Sequence, residues 1–195
     1  MKDSNTEHLL WEDSQEKKVY QGPIFDIKEV QRISADNKLA RFVIVEAPKW
    51  VTMIPWYIAD NGVAHFKMVR QFRHGSGKVT IEFPAGTVDP DENVLLAGLR
   101  ELKEETGCVP AQEPVLIGSV SPNPAFMNNR VWFYAIEGLE CVGEQSLDEH
   151  EHVDILDIPV QEVLDSMGTG EYDNGIMMIA QAFFIRYAAQ KGGIL

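Results

Sequence analysis

The segment Gly86–Cys108 reads GTVDPDENVLLAGLRELKEETGC, and it constrains the fold more than any other part of the chain. Asp89-Pro90-Asp91-Glu92 is a helix start, with Asp89 as N-cap, Pro90 at the first helical position and Glu92 placed to close a capping-box-like arrangement. Gly107 supplies a left-handed stop. The spacing predicts a helix over 90–106. Leu95, Leu99, Leu102 and Thr106 recur at the helical period and form the face expected to pack on a sheet. Glu101, Glu104 and Glu105 fall in an arc on the opposite side. Ala97 and Gly98, one turn earlier, are expected to leave room above the helix. Like charges at these spacings cost a helix about 0.2–0.5 kcal/mol per pair. Either this face is a solvated acidic surface, or it holds a hard cation, which takes oxygen ligands and tolerates shared carboxylates.

The flanks read as strands. IFDIKEVQRI and LARFVIVEA alternate on either side of an ADNK turn and predict an antiparallel pair. WVTMIPWYIA and GVAHFKMVRQFR predict a second pair about Asp60-Asn61-Gly62. TIEFPAG is a short strand ending at Pro84. EPVLIGSVSP and NRVWFYAIEGL flank an irregular loop, Ser121–Asn129, and EHVDILDIP is a further strand. VQEVLDSMGTG and GIMMIAQAFFIRYAAQK predict two closing helices. Residues 1–18 read as a polar arm or short helix. The fold class is therefore α+β, a mixed sheet sandwiched between helices.

A chain of 195 residues is one ordinary domain, or one domain with a small appendage. The net charge of −13 argues against a nucleic-acid binder, which needs a basic surface. It leaves open a phosphorylated small molecule held through divalent cations. No run of 18 apolar residues predicts a membrane span. MKDSNTEHLLWEDSQEKK lacks the apolar h-region of a signal peptide. Cys108 and Cys141 have no metal-site spacing, so two free thiols in a cytoplasmic protein are expected.

Gly86, five residues, Glu92, seven residues, and then Arg100-Glu101-Leu102-Lys103-Glu104-Glu105-Thr106-Gly107-Cys108 together resemble the Nudix box with every defining position filled. The strand order is similar to the Nudix fold over most of residues 20–190. The resemblance implies an N-terminal β-hairpin (19–47) that dimerises, following the arm at 1–18, and a hydrolase domain over 48–195. It implies cleavage of a diphosphate linked to another moiety, with Mg²⁺ or Mn²⁺. Carried onto this sequence, the metal ligands would be Glu101, Glu105, Glu104 and the backbone carbonyl of Ala85. Glu92 and Arg100 would form a supporting ion pair, and Gly86 the sharp turn.

The flanks of the box narrow the branch. Glu82-Phe83-Pro84-Ala85-Gly86, Arg70-Gln71-Phe72-Arg73 and Pro124 are similar to segments of ADP-ribose pyrophosphatases and related nucleoside diphosphate sugar hydrolases. There Glu82, an arginine (Arg70 or Arg73) and the proline would meet substrate. Asn128 and Asn129 stand where that branch carries acidic residues, which points to a sugar read by neutral amides, or else to Asx turns that order the loop. Glu149 aligns with the catalytic glutamate, with Glu151 as the alternative and Glu104 a third candidate. Glu149 and Glu151 should share a strand face, beside solvated His150 and His152. Phe25 and Phe42 are core residues or base-stacking platforms, with Trp50 and Trp56 as rivals. The activity implied is hydrolysis of ADP-ribose or another nucleoside diphosphate sugar by a homodimer. Hydrolysis of triphosphates or dinucleoside polyphosphates, and a non-catalytic nucleotide-sugar sensor, are the alternatives.

Overall fold

The computed structural model describes residues 6–192. The chain divides into two compact units. One is formed by the chain up to Pro48 with Ser121–Arg130, the other by Lys49–Val120 with the chain from Val131 onward.

The first unit is a three-stranded antiparallel sheet of β1 (Trp11–Gln21), β2 (Asp26–Ser34) and β3 (Leu39–Glu46), in that order. The β2–β3 hairpin follows the alternation of the sequence. Strand β1 corrects the reading of residues 11–18 as arm or helix. Every β1 residue is exposed, so burial does not select this strand. Backbone pairing with β2 does, aided by opposite charges across the ladder. Glu16 meets Lys28 at 2.7 Å, Asp13 meets Arg32 at 2.6 Å, and Lys18 pairs with Asp26. The loop at 121–130 also belongs to this unit. Val45 N donates to Phe126 O at 2.7 Å, and Asn128 N donates to Val45 O at 3.2 Å.

The second unit contains β4 (Trp50–Ile58), β5 (Ala64–Arg73), β6 (Lys78–Glu82), β7 (Ala85–Thr87), α1 (Val94–Thr106), β8 (Cys108–Pro110), β9 (Val115–Val120), β10 (Val131–Glu137), β11 (Leu139–Cys141), β12 (Val153–Pro159), α2 (Val160–Ser166) and α3 (Gly175–Lys191). The main sheet runs β12-β5-β4-β10-β9, with β6 on β5 and β7 on β4. Strands β4 and β10 pair in parallel and the other pairs are antiparallel.

Successive side chains of a strand point to opposite faces, and β4 is buried on both. Val51 and Met53, with Tyr134 and Ile136 of β10, pack on Ala97 and Leu102 of α1. Ile54 and Trp56, with Phe133, pack on Phe184 and Met177 of α3 and on Val163 of α2. The mixed sheet between helices is thus the α+β architecture the sequence implies. No helix among the described residues is long and apolar enough to cross a membrane.

Three local expectations are corrected. Helix α1 begins at Val94, not Pro90, because Asn93 takes the N-cap and accepts from Leu95 N at 2.9 Å and Leu96 N at 3.3 Å. Upstream, Glu92 accepts from Asp89 N at 3.1 Å, and Asp91 has φ +66°, so these residues form a turn before the helix. Ala97 and Gly98 face the sheet and leave no open room. A Cβ on Gly98 would strike Met53 and Val51, so small residues let β4 and α1 approach closely. Finally, Cys108 and Cys141 are bonded as a disulfide. They are register partners on β8 and β11, with Cα atoms 4.0 Å apart. A separation of 33 residues carried no sign of that pairing.

Candidate active site

Strand β7 brings the glycine turn to the helix. It pairs with β4 through Thr52–Ala85, Val51–Gly86 and Trp50–Thr87. Gly86 lies so close to Glu101 that a Cβ there would collide with the Glu101 carboxylate. One turn along α1, Glu105 accepts from Ala85 N at 3.2 Å and is only 6% exposed. Burial, with the charges of Glu101 and Glu151, pushes its pKa up to about 8, against the pull of Ala85 N–H and Arg73. Glu101 is also raised, chiefly by burial, with Arg100 opposing and Glu104 and Glu151 adding to the rise.

Arg100 is the counter-charge on the outer side. Its Nη1 donates to Glu101 at 2.9 Å and Glu104 at 3.1 Å, and its Nε donates to Glu92 at 3.3 Å. Its Nη2 reaches Thr87 O at 3.3 Å, tying helix to turn. One guanidinium therefore faces three carboxylates. Among the described residues no three His, Cys, Asp or Glu side chains converge in metal-binding geometry. The donor chemistry still fits a hard divalent cation. It is all oxygen, it is crowded, and burial together with the neighbouring Glu101 charge opposes ionisation of Glu105, which a bound cation would favour.

The loop after β11 closes over the C-terminal end of α1, whose last carbonyls have no partners within the helix. Ser146 N donates to Glu104 O at 2.9 Å, and Val142 N to Gly107 O at 2.9 Å. Gln145 Nε2 bridges Glu105 O at 2.6 Å and Val153 O at 3.1 Å. Glu149 and Glu151 lie on this loop, both exposed, because β12 starts only at Val153. They are therefore not on one strand face. The Glu151 charge acts on Glu101, Glu105 and Arg73. His150 and His152 are exposed and line a cavity of about 600 Å³ with Glu151 and Gln71.

A separate cavity of about 280 Å³ lies beside β7, lined by Trp50, Thr52, Arg73, Glu82, Asn174 and Met177. Glu82 is fully buried, and Arg73 clamps it with Nε at 3.0 Å and Nη2 at 2.6 Å. Thr80 Oγ1 also donates to it, and Asn174 lines the same cavity. Burial alone would raise Glu82, yet these partners hold its carboxyl below the usual range. Arg70, on the opposite face of β5, pairs instead with Asp154 at 2.6 Å.

In the first unit, Phe42 packs edge-on against Trp11, with ring centroids 5.3 Å apart, and Phe25 lies near Tyr20. Both phenylalanines are part-exposed. Pro124 and Asn128 are exposed. Asn129 is buried and donates to Pro48 O at 3.1 Å, so it ties the loop to the end of β3. Trp56 is a core residue against Phe184, whereas Trp50 reaches the cavity. Sequence reasoning missed Asn174. Its signal was Asp173-Asn174-Gly175 ahead of an apolar run, which marks an N-cap.

A crowded carboxylate helix beneath a glycine turn, with an arginine held on a buried glutamate alongside, is the equipment of a pyrophosphatase. The NUDIX domain model matches residues 56–176, more than half of the chain, and the chain belongs to that family. It is 27% identical to an ADP-ribose pyrophosphatase of Bacillus subtilis over 176 residues, which covers 89% of this chain and 92% of that protein. It is 34% identical to an ADP-ribose pyrophosphatase of Mycobacterium tuberculosis over 120 residues, covering 60% of this chain and 56% of that one. In fold it resembles a solved ADP compounds hydrolase, with a TM-score of 0.78 at 18% identity over 93% of this chain and 96% of the other.

Proposed function

We propose that this chain hydrolyses the diphosphate bond of ADP-ribose, or of a closely related nucleoside diphosphate sugar, to a nucleoside monophosphate and a sugar phosphate. The observation that carries this reading is the deficit of positive charge around Glu101, Glu104 and Glu105 beside an arginine-lined cavity. A substrate diphosphate cannot approach such carboxylates unless cations accompany it. The similarity to an ADP-ribose pyrophosphatase over nearly the whole of both chains supports the choice of substrate.

Glu101, Glu105 and Glu104, with the Ala85 carbonyl, would hold Mg²⁺, or Mn²⁺ in its place. When bound, the ion neutralises the diphosphate and stabilises the charge that develops in an in-line displacement. The chain's own residues do the rest. Gly86 lets Glu101 sit against the backbone. Arg100 exchanges part of its hold on Glu101 and Glu104 while keeping Glu92. Arg73 presents its uncommitted edge to a phosphate oxygen. Glu151 takes the proton from the attacking water, since its charge already bears on both buried glutamates; Glu149 is the second candidate.

The first unit supports a homodimer. It exposes Val19, Tyr20, Leu39 and Val43 on its strands and Ile24 in the turn between β1 and β2, apolar side chains that a second copy could cover. Phe25 and Phe42 on the same unit offer ring faces to a base, and Pro124 and Asn128 polar or shaped contacts to the sugar. A cytoplasmic location suits a hydrolase of nucleotide sugars, against the weight of the Cys108–Cys141 disulfide, a bond more usual in oxidising compartments.

The test is phosphate release, coupled to phosphatase, on ADP-ribose, ADP-glucose, GDP-mannose, UDP-glucose, dinucleoside polyphosphates and triphosphates, with Mg²⁺ and with chelator. Cleavage of ADP-ribose that chelator abolishes is expected. Preference for triphosphates would replace the reading, and nucleotide binding without turnover would make the chain a sensor.

A further inference from the structure

The Cys108–Cys141 bridge joins the two segments that frame the candidate site. Cys108 follows directly on Gly107, the stop of the helix that carries Glu101, Glu104 and Glu105. Cys141 ends β11, and the loop that carries Glu149 and Glu151 begins at the next residue. The β8–β11 ladder is only three residue pairs long, and the bridged pair is the one nearest the loop. A two-stranded ladder of that length is marginal by itself, so the covalent link fixes where the loop departs. From there Val142 N and Gly143 N donate to Gly107 O at 2.9 and 3.2 Å, Gln145 Nε2 donates to Glu105 O at 2.6 Å, and Ser146 N donates to Glu104 O at 2.9 Å. The approach is so close that a Cβ on Gly107 would strike Gly143 O.

The two cysteines differ in access. Cys108 is 1% exposed, whereas Cys141 is an exposed residue. Exchange needs a thiolate to reach one sulfur of the bridge, so access selects Cys141 as the point of attack and Cys108 as the leaving group. Thr106 O lies 3.4 Å from Cys108 Sγ. In the bridge that sulfur carries no hydrogen. Released as a thiol, it has this carbonyl as an acceptor, and a buried cysteine packs as a small apolar residue. The fold therefore has a place for the opened state as well as the closed one. These are the only two cysteines of the chain, so no third thiol competes for either.

We propose that Cys141 is a thiol-exchange site: a small thiol opens the bridge there, and opening loosens the hold of α1 on the loop that bears Glu149 and Glu151. A thiolate, RS⁻, attacks Cys141 Sγ. The Sγ–Sγ bond breaks, its electron pair leaves on Cys108 Sγ, which takes a proton, and Cys141 carries the mixed disulfide. A second thiolate attacks the sulfur of R, Cys141 Sγ leaves with the electron pair and takes a proton, and RSSR departs. Two thiols are thereby oxidised to one disulfide, and the protein bridge gains two electrons and two protons. The effect on turnover rests on the reading above in which this loop supplies the base; the exchange and the loosening stand apart from it.

The experiment treats the folded, oxidised protein with 2-mercaptoethanol, quenches in acid and maps the adduct by peptide mass spectrometry. Amide hydrogen exchange and kcat on ADP-ribose with Mg²⁺ are then compared before and after full reduction by dithiothreitol. The mixed disulfide is expected on Cys141 alone. On reduction the amides of Val142, Gly143 and Ser146 should exchange about tenfold faster. Under the same conditions kcat should fall about three- to tenfold with KM little changed. Cys141→Ser should reproduce the reduced protein and ignore the thiol. An adduct on Cys108 overturns the proposal, and so does a bridge that opens only in urea. Unchanged exchange at those amides after opening overturns it too, as does loss of the folded circular dichroism on reduction, which makes the bridge a structural brace. If Cys141→Ser does not fold, the reduced wild type decides by the same readouts. If the protein cleaves no ADP-ribose in either state, or keeps its kcat while the amides loosen, the reading of the site or of its base fails by itself, and the adduct map and amide exchange still decide the role of Cys141.

Discussion

Two arginine-centred clusters flank the Pro84–Gly86 turn, and they are balanced in opposite ways. Arg73 serves a single carboxylate, Glu82, which is fully buried yet held below the usual range because every partner around it donates. Arg100 serves Glu92, Glu101 and Glu104 together, while Glu105 behind them has one backbone N–H and two like charges nearby. Glu105 is buried almost as deeply as Glu82, but it is pushed up to about 8. Burial raises both carboxyls, and what sets them apart is the supply of donors and counter-charge, which overcomes burial at Glu82 and not at Glu105. The Arg73 cluster is complete within the chain. The Arg100 cluster is short of positive charge, and that shortage is what a divalent cation would fill.

The contrast is broken most severely at Glu105. Glu105→Gln should lower Mg²⁺-dependent turnover about 10²–10³-fold with the fold kept, as followed by circular dichroism. Near-normal activity at saturating Mg²⁺ would remove Glu105 from the metal set. Next in size is the loop glutamate. Glu151→Gln should lower kcat about a hundredfold, and Glu149→Gln less than about threefold; the reverse ranking in a kcat comparison would move the base to Glu149.

Glu82→Gln attacks the complete cluster. It leaves the Arg73 charge without its carboxylate, which should lower stability by about 2–3 kcal/mol, below the usual figure for a buried pair because Arg73 is 42% exposed. An unchanged urea midpoint would show that the cluster contributes nothing to the fold.

The smallest effect is the pH dependence with chelator present. The folded Glu105 carboxyl titrates above its unfolded value of 4.5. The folded state thus keeps a proton that the unfolded chain releases, and stability falls as pH rises from about 4.5 to about 8. Glu101 and Glu151 reinforce this shift, and Arg73 and Ala85 N–H oppose it. Comparing melting temperatures at pH 5 and pH 9, wild type should lose more than Glu105→Gln. Parallel losses in the two proteins would mean that Glu105 is ionised in the fold throughout.

Much of this site is written in short-range pattern. The box from Gly86 to Cys108, the left-handed stop at Gly107 and the ion pair of Glu92 with Arg100 lie within 23 residues, where helix period and cap chemistry act directly. What stayed illegible is set by partners distant in the chain. Both Arg70 and Arg73 look available in RQFR. Only the pairing of β5 with β12 and β6 sends one to Asp154 and the other to Glu82. Similarly, Glu149 and Glu151 differ by where the loop after Gln145 is tied down, to the last carbonyls of α1.

By itself the sequence determined the acidic helix, its stop, the two antiparallel hairpins and the sandwich class, because apolar period, turn residues and cap residues are local free-energy terms. Tertiary structure alone decided that Asn93 rather than Asp89 caps α1 and that β1 is a strand. It also decided that Ala97 and Gly98 face inward, that Cys108 meets Cys141, and that Asn174 lines the same cavity as Glu82. The physical reason is common to all of them. Each outcome is a contact between segments that only the folded sheet brings within bonding distance, and local propensity is too weak to choose it.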